Sequence, residues 1–175
     1  MFRFNRPVRQ PTQTRTPSQT MTTCAEHPES EPVNAFTGMA NPAGLASCMA
    51  LSEAACVQLN LSDEDTYAVR LSVEEACINV IDHGYEGREP GPMKLAFRLS
   101  QCGGKRHVII QLRDAATPFH PDNAPAPDLL ADLDDRKVGG LGWFFIKSTM
   151  DEVTYQSVGD ENCLTLVKHL NDAPG

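Results

Sequence analysis

This chain is short of positive charge: 15 Lys and Arg stand against 23 Asp and Glu, giving a net charge of −8 and a pI near 5.0. So acidic a surface repels phosphate backbones, which excludes non-specific nucleic-acid binding and leaves proteins and small molecules as partners. No run of about eighteen apolar residues occurs, so no membrane span is expected. Paired Cys-x-x-Cys spacing is missing as well. The six cysteines, Cys24, Cys48, Cys56, Cys77, Cys102 and Cys163, are scattered, which disfavours a structural zinc site. The N-terminus has no signal-peptide apolar core, and a reducing cytoplasm is the default expectation.

What is present fits one small domain. Apolar residues make up 41% of the chain, enough for one core. Residues 1–32 are rich in Thr, Pro, Gln and Ser and poor in apolar side chains, a composition that does not offset ordering entropy, and are expected to form a disordered tail. Met21 offers a second start within it. A domain spanning 40–170 follows.

The segment from Leu71 to Tyr85 carries the strongest signal. Val69, Val73, Ala76 and Val80 recur at helical spacing as an apolar stripe, with Ser72, Glu75, Asn79 and His83 on the neighbouring flank. Glu75 and Asn79, four residues apart, stand one above the other and can reach a single bound group. An Asn oxygen suits Mg²⁺ beside phosphate oxygens, and a Glu can accept a proton. Cys77 turns toward the apolar side as a small buried hydrophobe.

Two further segments join this pair. His107 to Arg113 predicts a strand with Val108, Ile110 and Leu112 on one face, and it delivers Asp114 to a loop. Val138-Gly-Gly-Leu-Gly142 leads into a helix through Met150, on which Leu141, Phe144, Phe145 and Ser148 follow helical spacing. Glycines before a helix N-terminus let backbone N–H groups close on an anion, and the helix dipole favours phosphate there.

The order of these pieces resembles the Bergerat-fold ATP-binding module of the GHKL superfamily, and within it the anti-sigma-factor serine kinases. Glu75 to Tyr85 is similar to the family's N-box down to its His-Gly-Tyr ending, Asp114 to Pro121 to its D-x-G-x-P-F-x-P segment, and Gly139 to Gly142 to its second glycine box. Leu164 to Lys168 is similar to the final strand, whose Thr completes the adenine pocket. The chain departs from the family at Ala116, which replaces a Gly, and at Asp82, a carboxylate where relatives often carry a basic or neutral residue.

The resemblance implies an α+β two-layer sandwich with a mixed, mainly antiparallel sheet covered on one face by helices. The remaining elements agree with it: a first helix over 43–59, a second started by Ser62 with an acid three residues on, strands over 93–100 and 107–113, and a second hairpin over 151–158 and 163–169. Residues 117–138, proline-rich and acidic from Asp128 to Asp135, correspond to the ATP lid.

The activity implied is phosphoryl transfer from ATP to a protein serine, chemistry that rests on positioning and charge neutralisation. Asn79 would hold Mg²⁺, Glu75 would take the hydroxyl proton, and Asp114 would accept from the adenine amino group with Thr165 in support. Ala116 would edge the base, Gly140, Leu141 and Gly142 would cradle the phosphates, and Lys137 would reach the terminal one. The implied partners are an anti-sigma-factor antagonist, a sigma factor and a second copy of the chain as homodimer. A second reading is a catalytically silent partner-switching module, favoured by Ala116 and Asp82. A histidine kinase would need a dimerisation hairpin with a phosphoacceptor His, and topoisomerase relatives need a further domain for which 175 residues do not suffice.

Overall fold

The computed structural model describes residues 31–102, 104–118 and 141–170. Most of the tail and of the proposed lid, including Lys137, lies outside the described residues, as do Gly139 and Gly140 of the glycine box. Chain order is β1 (Asn34–Met39), α1 (Pro42–Gln58), α2 (Asp63–Ile78), a π-helical turn (Asn79–Gly84), β2 (Pro92–Cys102), β3 (Lys105–Asp114), α3 (Leu141–Thr149), β4 (Glu152–Val158) and β5 (Glu161–His169).

The helix starts follow from short polar side chains in extended backbone. Asn41 accepts the Gly44 N–H at 2.8 Å, with Pro42 in the first turn of α1 where its missing N–H costs nothing. Ser62 accepts the Asp65 N–H at 3.1 Å, and Asp65 answers through its side chain, accepting the Ser62 hydroxyl at 2.8 Å. Asp63, Glu64 and Asp65 fill the first turn of α2 and complement the positive end of its dipole. The stripe of α2 buries as its spacing predicts: Val69, Val73 and Ala76 are 3% exposed or less. Each fully buried valine contributes about 1.5–3 kcal/mol.

The sheet runs β1-β2-β3-β5-β4, and among the described residues all its pairings are antiparallel rather than mixed. β1 is an addition to the expected strands. Its NAFTGM lacks a β-branched run and it sits at an edge, where pairing with one neighbour suffices. One face carries Met93, Leu95 and Phe97, then Val108, Ile110 and Leu112, then Leu164 and Leu166, and these share one core with the helices. The alternate residues, Ile109, Gln111, Thr165 and Val167, turn to the other face.

In α3 the buried side is Trp143 and Ile146, followed by Met150, whereas Phe144 is 38% exposed. The Leu141, Phe144, Phe145 and Ser148 stripe therefore faces outward relative to the packed one. Ser72 in α2, fully buried, meets Thr149 of α3 at 2.9 Å between hydroxyl oxygens; Thr149 donates to the Phe145 carbonyl at 2.8 Å, so Ser72 is the donor of the pair.

Candidate nucleotide site

A pocket of about 120 Å³ opens where α2, the π-helical turn, α3 and the ends of β3 and β5 converge. Its walls are largely apolar, with Ala76, Val80, Leu112, Trp143 and Leu164 among them, and its polar groups come from Asn79, His83, Asp114 and Asn162. Such a slot suits a flat heterocycle oriented by a few polar atoms.

Asp114 ends β3 and is 8% exposed. Its Oδ1 accepts two hydrogen bonds, from the Ala116 N–H at 2.8 Å and from Asn162 Nδ2 at 2.8 Å. Both bonds that it accepts within the described residues fall on that one oxygen, so Oδ2 is left to accept a further donor. Asn162 also donates to the Ala116 carbonyl at 3.0 Å. Sequence reasoning missed Asn162. Its place becomes visible only with the register that sets it opposite Asp114 across β3 and β5.

Tyr85 is a second residue not foreseen as part of the site. Its hydroxyl accepts the Ala115 N–H at 3.2 Å and donates to the Pro92 carbonyl at 3.1 Å, and the Thr117 N–H reaches the Gly84 carbonyl at 3.1 Å. The loop after Asp114 is thus strapped to the segment that ends the π-helical turn. Burial is the main cause raising the Tyr85 pKa, so the hydroxyl stays protonated and can serve as this bridge.

Asn79 opens the π-helical turn and lines the pocket. Glu75 lies one helical turn earlier, half-buried, outside the pocket wall. It meets the start of α3: a side chain on Gly142 would collide with Glu75 Oε2, so the glycine leaves the carboxylate room against the α3 backbone. Burial, with the neighbouring Glu74 charge second, raises the Glu75 pKa, as suits a proton acceptor. Leu141 and Gly142 are the first residues of α3.

Ala116 lines the pocket with its methyl close over Gly84, where an added Cβ would stand 2.7 Å away. Asp82 is exposed, so its charge is screened by water. Thr165 requires a correction. It pairs with Gln111, which donates to its hydroxyl at 3.5 Å, on the face of the sheet away from the pocket. Two-residue alternation gives the pocket Leu164 and Asn162 instead.

Among the described residues no group of three or more His, Cys, Asp or Glu side chains is placed to hold a metal ion. Asn79, a single neutral oxygen donor, fits Mg²⁺ held mostly by phosphate and water oxygens.

An apolar slot with a buried carboxylate at one edge and an Asn and a helix start beside it is the arrangement of an ATPase domain, and comparison with known proteins agrees. The model of the histidine kinase-like ATPase domain family matches residues 39–168, and the chain belongs to that family. It is 34% identical over 96 residues to the serine-protein kinase RsbW of Halalkalibacterium halodurans, covering 55% of this chain and 58% of that one. It is 28% identical over 103 residues to the serine/threonine-protein kinase BtrW of Bordetella bronchiseptica, covering 59% and 70%, and 29% identical over 118 residues to the anti-sigma F factor of Priestia megaterium, covering 66% and 78%. No helix among the described residues is long and apolar enough to cross a membrane.

Proposed function

We propose that this chain is an anti-sigma serine kinase: it binds Mg²⁺-ATP in the pocket, transfers the γ-phosphoryl group to a serine of an antagonist protein, and otherwise holds a sigma factor, working as a homodimer in the cytoplasm. The observation that carries the reading is Asp114, a buried carboxylate held by one oxygen with the other available at the edge of an apolar slot. An acceptor of this kind is satisfied by a donor that enters the slot, and the adenine amino group supplies one. The names of the relatives point to the protein serine as acceptor.

Asn79 would bind the metal that neutralises the polyphosphate, and the α3 start would add backbone N–H groups. Glu75 would take the proton of the attacking hydroxyl, its affinity for protons raised by burial. The silent-module reading draws on Ala116, yet the space over Gly84 accommodates that methyl.

Two measurements test the proposal. Mg²⁺-ATP at 100 times its Kd stabilises a protein that binds it only when folded by about 2.7 kcal/mol, so the melting temperature should rise. With labelled ATP and a bound antagonist, label should appear on serine, and Glu75→Gln should retain ATP binding but lose transfer by about 10²–10⁴-fold. A melting shift without transfer to an antagonist that demonstrably binds would establish the silent module.

A further inference from the structure

We infer that Asn162 is a positioning residue that also sets base selectivity: it fixes the Asp114 carboxylate and the Ala116 carbonyl and leaves only acceptors on the side chains of Asp114 and Asn162, so that a 6-aminopurine is taken there and a 6-oxopurine refused. This rests on the reading of the pocket as a purine-nucleotide site.

Asn162 is 2% exposed and lies opposite Asp114 in the β3–β5 ladder. Its Nδ2 is 2.8 Å from Asp114 Oδ1 and 3.0 Å from the Ala116 carbonyl oxygen. Both neighbours only accept, so the amide must present its NH₂ to them; the flipped orientation would set an oxygen against two oxygens. Both amide hydrogens are thereby committed. The polar atoms remaining on the two pocket-lining side chains are Asn162 Oδ1 and Asp114 Oδ2, and neither carries a hydrogen to give. An exocyclic amino group satisfies such an edge, whereas a ring keto oxygen there meets only lone pairs and leaves a buried carboxylate unpaired.

The amide also sets the aim of the carboxylate. With the Ala116 N–H, it holds Oδ1 on two donors at 2.8 Å and so fixes the direction of Oδ2. Because it grips the Ala116 carbonyl as well, one side chain ties the base-reading carboxylate to the loop that edges the base.

The test compares binding of Mg²⁺-ATP and Mg²⁺-ITP, which differ at this amino or keto position, to wild type and to Asn162→Ala, Asn162→Thr and Asn162→Asp. Wild type should prefer ATP. Asn162→Ala should weaken ATP by about ten-fold or more, the scale of a lost bond to a charged group, with ITP changed far less, so the ATP-to-ITP ratio narrows. Asn162→Thr, which keeps one donor, should recover part of the ratio and carries the test should the alanine variant not fold. Asn162→Asp sets two carboxylates together, so its ATP affinity should be poor at neutral pH and recover on acidification, when the pair shares a proton; a merely structural role would give no such profile. An unchanged ATP-to-ITP ratio in Asn162→Ala, or in Asn162→Thr where the alanine variant does not fold, beside a wild type that prefers ATP, overturns the role of Asn162 alone. A wild type that binds neither nucleotide overturns the pocket reading and the inference with it.

Discussion

Gly84 and Ala116 share room for one methyl: a Cβ built on Gly84 would stand 2.7 Å from the Cβ of Ala116. Gly84→Ala should therefore destabilise the protein by about 1–3 kcal/mol, the usual range for overpacking a filled site. Adding Ala116→Gly to the same chain should recover much of the loss, and a double-mutant cycle in urea should show a coupling of at least about 0.5 kcal/mol. Independent, additive effects would show that the two side chains do not compete.

Tyr85→Phe tests the strap across the pocket edge. The hydroxyl bridges the Ala115 N–H and the Pro92 carbonyl. Its loss should lower stability by about 0.5–1.5 kcal/mol. It should lower ATP affinity as well, since Ala115 follows Asp114 directly. Calorimetric titration checks the second point, and full affinity in the variant would mean that the Asp114 loop needs no strap.

Glu75 makes stability depend on pH in a stated direction. Its folded pKa is raised, chiefly by burial and then by Glu74. The native state thus holds this proton to higher pH than the unfolded chain does, and the associated stability is present below the ordinary glutamate pKa and lost as pH rises through the folded value. Glu75→Gln does not titrate. Urea midpoints at about pH 4 and about pH 7 should show the variant gaining on wild type toward neutral pH. A constant difference would remove Glu75 as the source.

Asn79→Ala should leave the fold in place, because Asn79 lies off the packed stripe of Val69, Val73 and Ala76. It should weaken Mg²⁺-ATP binding more than binding of ATP in the presence of chelator, since the residue is proposed to act through the metal. Equal losses under both conditions would assign Asn79 to the nucleotide itself.

The sequence revealed most clearly what is local. The α2 stripe, the Ser62 cap and the Asp114 strand end depend on neighbours within a few residues, and each is where spacing predicts. Thr165 and Asn162 show the limit. Which of them faces the pocket depends on the pairing of β5 with β3, and a shift of one residue exchanges the faces. Likewise α3 offers two apolar stripes, and only the position of α2 and the sheet selects Trp143 and Ile146 for burial. β1 was illegible because an edge strand draws its stability from the partner rather than from its own side chains.

The π-helical turn from Asn79 to Gly84 is in effect an insertion retained by the chain, closed by the Tyr85 N–H on the Val80 carbonyl. A loop of this width holds one residue more than an α-helical one, so everything after Asn79 is out of phase with the stripe that packs α2. Deleting a single residue inside the turn would restore ordinary helix and swing the segment beyond it by about 100°. The frame of one helix thereby sets whether Tyr85 meets the Asp114 loop at all, and length variation in this family should be far rarer between Asn79 and Tyr85 than in the turn that follows.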